Sequence, residues 1–503
     1  MKLLHKVELI IIWIVISIGL YQCSRVGSDI GNQDTAYEES VQEENNKKNI
    51  EDKDVKQRQK EEILQGYIRV LIKTDNFAGI YHETLRVSSE NGMYIEQNKK
   101  ITSIAPQEVF EITRKDLQDK QLKIYAYENG TIRLHNVVRS EEVTYRGNME
   151  CFGTENGIVL VNELPVEQYL YGVVPSEMPA SYPVEALKAQ AISARTYTYF
   201  HMQSFAYPEW SAHVDDSTAF QVYKNITENE NVNQAVDDTK DLVMKYQGEL
   251  IESFYYSTSS GRSSGYEVWK SDESREWLVM KELTSEALAQ EQIRDFSYQS
   301  NDTYEVVQEK ENAYRSYISL GNANDVEYQE AWYRWQYTRS FDDVQEFLEK
   351  IESKAKLYSD EINIRSKYAK KEKLTQESGI LSCRIIQRES SGMVQQLCIQ
   401  TKNFEIVIKT QQLIRELLSK SGEVLTKNDG SEFMLGELLP SGYFYFDTLY
   451  ENNCLKSMTI YGGGFGHGAG MSQNGAKCLA NLGMTVEDIV KYYYKDIQIE
   501  KMD

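Results

Sequence analysis

The segment around Glu177 offers a carboxylate in a stiffened stretch of chain. Pro175 and Pro179 flank this residue in the sequence PSEMP, and each proline fixes one backbone torsion. A carboxylate held in this way just ahead of a helix suits general acid or base chemistry, because proton transfer needs a positioned donor or acceptor. The alternative is a helix-entry loop in which Glu177 interacts with the positive N-terminal end of the helix dipole.

A second candidate is the glycine loop, residues 462–473 (GGGFGHGAGMSQ), in which glycines surround one histidine. Glycine lets the backbone approach a ligand closely. The spacing fits neither GxGxxG nor GxxxxGK[ST], so nucleotide binding is disfavoured. We interpret His467, Ser472 and Gln473 as polar groups presented to a substrate. The alternative is a tight turn around a hydrogen-bonded histidine.

A third candidate is the hydroxyl loop, residues 257–264 (STSSGRSS), which contains Ser257, Thr258, Ser259 and Arg262. Clusters of serine and threonine usually form loops, so this composition by itself indicates only a loop.

A mixture of strands and helices must position these segments, and the patterns predict an α+β fold. Residues 65–165 show strand-like apolar runs separated by Gly and Asn-Gly turns, which predicts mostly β structure. Residues 184–197 consist of good helix formers, with alanines that allow close packing. We expect this helix to be central and buried, so Lys188, Gln190 and Arg195 need polar partners.

The remaining body continues the mixed pattern. Residues 280–330 are charged and polar, and indicate an inserted helical or flexible segment. Thr485 and Asp488 resemble a capping box, and Gly483 suits the end of the preceding helix. The other predicted elements are a hairpin at 245–256 that turns at Gln247-Gly248, strands at 383–409 and 455–461, and helices at 341–358, 471–481 and 486–494.

Composition restricts the function classes. The chain has 503 residues and a net charge of −22, which argues against nucleic acid binding because that needs a basic surface. Its 35 tyrosines against 15 phenylalanines suit sugar binding, since a ring covers a sugar face while the hydroxyl reaches its OH groups; biased composition is the alternative. The six cysteines form no CxxC pair and are too sparse for a disulfide scaffold.

The N-terminus predicts a membrane anchor. Lys2, His5 and Lys6 precede an apolar run from residue 7 to about residue 21. The run is short for a membrane span and could be a signal segment, but no small-x-small cleavage site follows, and Gln22 before Cys23 is atypical of a lipoprotein signal. We predict an uncleaved single-pass anchor at 1–23, a disordered charged linker at 24–64, and an exported body from residue 65 onward.

Four segments together resemble the SpoIID/LytB family. They are VEQYLYGVVPSEMP at 166–179, EALKAQAISARTY at 185–197, FYYSTSSGR at 254–262 and FGHGAGMSQNGA at 465–476. The order of these long motifs is specific, and looser similarity extends from about residue 65 to the C-terminus. The resemblance implies one SpoIID-like, peptidoglycan-active domain at 65–503, interrupted near 280–330.

The resemblance also implies a lytic transglycosylase that cuts glycan strands between N-acetylmuramic acid and N-acetylglucosamine and leaves 1,6-anhydro-muramoyl ends. It favours strands that have lost their stem peptides, in sporulation or wall remodelling. Glu177 would be the catalytic acid/base, with a pKa raised by its site. The substrate-binding residues implied are Lys188, Arg195, Ser257, Thr258, Ser259, His467, Ser472 and Gln473.

Two departures from the family pattern accompany this resemblance. SpoIID-type members can carry a zinc site in a segment like CDSTxCQ, whereas residues 214–221 read VDDSTAFQ, so we predict no zinc and no other cofactor. Tyr256 stands where the family usually has histidine. The rival functions are a non-catalytic enhancer of an N-acetylmuramoyl-L-alanine amidase, as described for LytB-type members, and a glycan-binding wall anchor.

Overall fold

The computed structural model describes residues 66–117, 121–137, 139, 143–224, 227–269, 273–285, 294–368, 373–374, 377 and 379–502. The predicted anchor and linker at 1–64 lie outside these residues. Within the described ranges, no helix has both the length and the apolar character that crossing a membrane requires.

The described residues form a mixture of helices and strands, which confirms the mixed fold class. The helices are α1 (Arg114–Leu117), α2 (Val166–Glu177), α3 (Val184–His201), α4 (Glu230–Asp238), α5 (Tyr304–Leu320), α6 (Val344–Leu357), α7 (Gln411–Leu418), α8 (Gln473–Asn481) and α9 (Val486–Tyr493). The first eleven strands are β1 (Tyr67–Ile72), β2 (Thr84–Ser88), β3 (Met93–Gln97), β4 (Lys100–Ile104), β5 (Phe110–Thr113), β6 (Gln121–Ala126), β7 (Ile132–Leu134), β8 (Val143–Tyr145), β9 (Asn148–Thr154), β10 (Gly157–Pro165) and β11 (Val214–Asp215). The others are β12 (Leu242–Tyr246), β13 (Glu249–Leu250), β14 (Tyr255–Tyr256), β15 (Trp335–Ser340), β16 (Ile362–Ser366), β17 (Ile380–Arg388), β18 (Val394–Thr401), β19 (Phe404–Lys409), β20 (Val424–Lys427), β21 (Glu432–Met434), β22 (Phe444–Glu451), β23 (Cys454–Gly462), β24 (Met471–Ser472) and β25 (Gln498–Lys501).

The described residues divide into two compact units, and the first contains residues 66–176 and 198–227, with the gaps given above. Its seven-stranded sheet has the order β11-β1-β10-β9-β6-β3-β4, and a four-stranded sheet has the order β5-β2-β7-β8. The long strands are apolar and buried, as in β1, where Ile68, Val70 and Ile72 are inaccessible to solvent. Strands therefore dominate the region that the sequence predicts as mostly β.

The second unit contains residues 177–197 and 228–502, with the gaps given above. Its two larger sheets have the orders β21-β20-β15-β23-β22 and β16-β19-β18-β17. Strand β15 alternates strictly between buried and exposed residues, as a sheet with one face against the core requires. The core lies between these sheets and the apolar faces of α6 and α7.

The helix predicted over 184–197 is α3, which continues to His201. Ala186, Ala189, Ala191 and Ala194 are all completely buried, which agrees with the expected close packing. The predicted capping box is present: the Thr485 hydroxyl oxygen accepts the Asp488 amide proton at 3.3 Å, and the Asp488 carboxylate accepts the Thr485 amide proton at 3.2 Å. The segment near 280–330 contains α5, which ends at Leu320 and is followed by the C-cap residue Gly321 with a φ of +64°.

Candidate functional site

Glu177 is the last residue of α2, a helix that the sequence analysis did not predict. Pro175 lies inside this helix, and Pro179 disfavours helical geometry in the residue before it, so the helix ends here. The carbonyl groups at this end of a helix carry partial negative charge. Glu177 therefore lies at a helix C-terminus, and its interaction with the N-terminus of the following helix stays a prediction. Its side chain is half-buried, so part of it faces solvent.

The segment after Glu177 is linked to two other motifs through Asn474. Tyr182 donates its hydroxyl proton to the Asn474 side-chain oxygen at 2.5 Å. The Asn474 amide N–H donates to the carbonyl of Ser257 at 2.9 Å, and its side-chain nitrogen donates to the Thr258 hydroxyl at 2.8 Å. One asparagine thus joins the Glu177 segment to the hydroxyl loop and the start of α8. Asn474 belongs to one of the family motifs, but no local pattern in the sequence indicates its role.

The hydroxyl loop and the glycine loop lie directly against each other. The backbone of Thr258 exchanges two hydrogen bonds with Phe465, at 3.0 and 2.8 Å. A Cβ at Gly464 would lie 2.8 Å from the Thr258 carbonyl oxygen, and a Cβ at Gly470 only 1.9 Å from that of Phe254. Both glycines have positive φ. Glycine is therefore needed here for close packing of backbone on backbone.

His467 lies in the glycine loop as a neutral, hydrogen-bonded ring. Its Nδ1 accepts the Ala469 amide proton at 3.2 Å. Burial, assisted by the positive charge of Arg415, lowers the pKa of His467 to about 4. The Trp269 ring centroid is 5.0 Å away. The imidazole is therefore uncharged near neutral pH, and the hydrogen-bonded turn that the sequence left as an alternative is present.

A buried carboxylate that the sequence analysis missed connects these loops. Glu327 is 1% exposed and accepts hydrogen bonds from the Ser259 amide at 3.0 Å, from the Ser259 hydroxyl, and from the Ser472 hydroxyl at 2.6 Å. Ser472 is also the N-cap of α8, since its oxygen accepts from Gly475. Burial raises the pKa of Glu327 to about 7. No local pattern marks this residue, because its partners lie far away in the sequence.

The two cations predicted to bind substrate have different surroundings. The Lys188 ammonium group is 2.9 Å from Asp238 and 3.7 Å from Glu185, and its side chain is partly exposed. Arg195 is inaccessible to solvent and donates to the carbonyls of Val236 at 3.0 Å and Leu242 at 3.3 Å. As expected, these charges have polar partners. Their contacts with a substrate stay predictions, and Arg195 exposes no surface in this conformation.

Gln473 is the first residue of α8 and is 8% exposed. Its side-chain nitrogen lies 3.5 Å from the side-chain oxygen of Gln190, which is completely buried on α3. The amide pair places the start of α8 against α3. The role of Gln473 in lining a groove also stays a prediction.

The segment that carries zinc ligands in SpoIID-type members serves structural hydrogen bonds in this chain. His213 Nδ1 accepts the Arg69 amide proton at 3.1 Å. Asp215 accepts from the Tyr207 hydroxyl at 2.6 Å, and Asp216 forms a 2.6 Å ion pair with Arg139. These residues do not fit a zinc site. Within the part of the chain that the structure describes, no group of three or more His, Cys, Asp or Glu side chains is arranged to hold a metal ion.

Two family models match the chain. The model described as Stage II sporulation protein matches residues 154–246, which include Glu177, Lys188 and Arg195. A domain of unknown function matches residues 264–470, which include Glu327 and His467.

Three curated relatives are similar to this chain. The amidase enhancer of Bacillus subtilis (strain 168) is 31% identical over 65% of this chain and 39% of its own length. An uncharacterized protein of Brachyspira hyodysenteriae is 36% identical over 25% of this chain and 34% of its own. Stage II sporulation protein D of Bacillus subtilis (strain 168) is 26% identical over 68% of this chain and 76% of its own. The chain thus spans little more than a third of the first two relatives.

Proposed function

Because this chain belongs to the SpoIID/LytB family, we propose that it is a lytic transglycosylase that cuts peptidoglycan glycan strands between N-acetylmuramic acid and N-acetylglucosamine. The observation that supports this reaction best is the position of Glu177. It is a half-buried carboxylate at the C-terminal end of a helix, within the region that matches the sporulation protein model. A carboxyl group held there can act as a positioned proton donor.

The reaction uses one carboxylate in both halves. Glu177 donates its proton to the glycosidic oxygen as the bond from that oxygen to C1 of the muramoyl residue breaks. The carboxylate then takes the proton of the C6 hydroxyl of the same sugar while O6 bonds to C1. This forms the 1,6-anhydro ring and returns Glu177 to its protonated state. The attacking oxygen belongs to the substrate, so proximity replaces an activated water.

The proposed reaction needs only one catalytic carboxylate. Glycosidases that use water or a covalent intermediate place two carboxyl groups beside the scissile bond. Glu327, the buried carboxylate that joins the hydroxyl loop and the glycine loop, is 1% exposed and accepts three hydrogen bonds from serines. A sugar therefore cannot reach Glu327 in this arrangement.

We propose the same cellular setting that the sequence predicts. Residues 1–23 would anchor the chain in the cell membrane and residues 24–64 would act as a spacer, with the catalytic body on the extracytoplasmic side. Strands already stripped of stem peptides would be the preferred substrate. Protease treatment of intact protoplasts tests the orientation: the body should be degraded, and its protection would contradict it.

The second candidate is an enhancer of a cell-wall amidase. It is favoured by the amidase enhancer of Bacillus subtilis, which is 31% identical over 329 residues. The two functions separate in one experiment, in which the full chain is incubated with peptide-free glycan strands and, separately, with intact wall plus an N-acetylmuramoyl-L-alanine amidase. Release of glycan fragments from the first substrate supports the transglycosylase. Faster amide hydrolysis in the second, with no glycan cleavage in the first, overturns it in favour of the enhancer.

A further inference from the structure

Glu327 is a buried carboxylate that contacts both the hydroxyl loop and the end of the glycine loop. It follows α5 in the segment that the sequence analysis treated as an insertion. Its carboxylate nevertheless accepts two hydrogen bonds from Ser259 in the hydroxyl loop and one from Ser472 at the end of the glycine loop. One buried group therefore joins two motifs that lie more than two hundred residues apart in the sequence.

The two serine hydroxyls are already committed as acceptors. The Ser259 oxygen accepts the Gly261 amide proton at 3.2 Å, and the Ser472 oxygen accepts that of Gly475 at 3.2 Å. Each hydroxyl has one proton, and in this arrangement both protons point to Glu327. An ionised carboxylate can accept all of these bonds at once, whereas a protonated one must donate its own proton to a neighbour.

The structure contains an acceptor that permits such a reversal. The Ser472 hydroxyl also lies 3.4 Å from the carbonyl oxygen of Ser257. If Glu327 carries a proton, it can donate that proton to Ser472, and Ser472 can then donate to Ser257. The hydroxyl of Ser472, the N-cap of α8, would then donate to the hydroxyl loop instead of to the buried carboxylate.

We propose that Glu327 is a positioning residue of the candidate site: its ionised carboxylate holds the hydroxyl loop and the start of α8 in one arrangement, and its protonation reverses the bond to Ser472. This inference deepens the proposed function and rests on it only for the role of these loops in glycan binding. The positioning itself follows from the hydrogen bonds.

The surroundings place this proton equilibrium near neutral pH. Burial opposes the charge and raises the pKa of Glu327 to about 7, while the serine hydrogen bonds act in the opposite direction. The negative charge of Glu330 also acts on it, although Lys477 forms a 2.7 Å ion pair with Glu330. The uncharged titratable groups that face it are Tyr182, Tyr256, Tyr492, Tyr493 and Cys478.

Hydrogen exchange of the full chain, followed by mass spectrometry from about pH 5 to about pH 8, tests the inference. Peptides that cover 257–261 and 472–476 report the two loops. The opening that these peptides report breaks the serine bonds while Glu327 stays out of water, so the open state binds the proton more tightly than the closed state. After correction for the intrinsic exchange rate, we therefore expect wild-type opening to increase roughly tenfold as pH falls. Glu327→Gln resembles the protonated acid, so its exchange should be high throughout and independent of pH.

Glu330→Gln is the matched control, because Glu330 is three residues away and contacts Lys477 instead of either serine. It should keep a pH dependence of the wild-type amplitude, with its midpoint moved to lower pH because the charge of Glu330 no longer raises the pKa of Glu327. The inference is overturned if wild-type exchange does not vary with pH, or if both variants behave alike. Glu327→Asp keeps a carboxylate, and recovery of some pH dependence there separates charge from simple loss of packing.

A parallel measurement of binding to peptide-free glycan separates this inference from the proposed function. Weaker binding by Glu327→Gln at about pH 8, at the level of the wild type at about pH 5, supports the positioning role. If the exchange pattern is as expected but the wild type binds no glycan, the proposed function fails and the hydrogen-bond switch stands. If glycan is cleaved but exchange is insensitive to Glu327, the switch fails and the function stands.

Discussion

Gly470 and Gly483 provide a matched pair for testing why glycines are needed in the loop around His467. Both have left-handed backbone torsions, with φ of +81° and +88°. A Cβ at Gly483, just after α8, would have no heavy atom within 4 Å. A Cβ at Gly470 would lie 1.9 Å from the carbonyl oxygen of Phe254. Alanine at Gly483 therefore tests backbone strain alone, and alanine at Gly470 tests strain together with a backbone clash.

The expected magnitudes follow from this difference. A left-handed torsion costs an L-residue roughly 1–2 kcal/mol, and loss of glycine freedom in the unfolded chain returns about 0.4–1 kcal/mol. Gly483→Ala should thus reduce the free energy of unfolding by about 1 kcal/mol. At Gly470 the Phe254 oxygen cannot withdraw freely, because it accepts from Met471 at 3.1 Å and from the Tyr494 hydroxyl at 2.6 Å. With overpacking and these bonds included, Gly470→Ala should cost about 4 kcal/mol.

Urea unfolding of the full chain measures both changes. Tryptophan fluorescence is a suitable probe, since the Trp269 ring lies 4.3 Å from that of Phe254. Gly470→Ala should also lose near-ultraviolet circular dichroism from the aromatic cluster around His467, whereas Gly483→Ala should retain it. Equal destabilisation by the two variants would refute the argument that the loop needs glycine for backbone contact.

Three further predictions concern charged groups. In the range from about pH 4.5 to about pH 7, folded Glu327 binds more protons than the unfolded chain, because its pKa is raised to about 7. The free energy of unfolding should therefore fall by ~3 kcal/mol as pH rises through that window. Urea titrations of Glu327→Gln should lack this contribution. Parallel curves of unfolding free energy against pH for the two proteins would contradict the prediction. Arg388→Met should cost about 3–5 kcal/mol in the same assay, because it leaves the largely buried carboxylate of Glu311 without the cation that pairs with it. A loss below about 1 kcal/mol would count against the pair. Lys188→Met should change the free energy of unfolding by less than about 1 kcal/mol, since the ion pair of Lys188 with Asp238 is partly exposed. The same variant should bind peptide-free glycan more weakly. Unchanged affinity would remove Lys188 from the site.

Local signals in the sequence predicted the elements whose cause is local. The good helix formers of α3 and the capping box at Thr485 depend on neighbouring residues, and both are present. The α3 alanines are also buried, as the same pattern predicts. The family motifs also marked the hydroxyl and glycine loops, which the structure brings into direct backbone contact.

Helix α2 escaped prediction because its sequence contains Gly172 and Pro175, which disfavour helix interiors. Its environment overrides that preference: Tyr169, Leu170 and Val173 are completely buried, so packing stabilises the helix up to Glu177. Glu177 therefore lies at the C-terminal end of a helix, a position that the sequence did not predict.

Glu327 could not be predicted from local sequence at all. Asp325, Glu327 and Glu330 alternate with polar and aromatic residues in a way typical of an exposed segment. Only the tertiary contacts with Ser259 and Ser472 show that the middle carboxylate is buried between two motifs. The role of Asn474 could not be predicted for the same reason, because only the fold brings its partners Tyr182 and Thr258 together.

The most direct test of the central claim is to digest peptide-free glycan strands with the full chain in water labelled with heavy oxygen, and to analyse the new ends by mass spectrometry. A lytic transglycosylase forms its product from the substrate's own C6 hydroxyl, so we predict unlabelled 1,6-anhydro-muramoyl ends. Their formation should be abolished in Glu177→Gln and retained in Glu167→Gln, a control earlier in the same helix. Labelled reducing ends, or 1,6-anhydro ends that form equally well without the Glu177 carboxylate, would contradict the account.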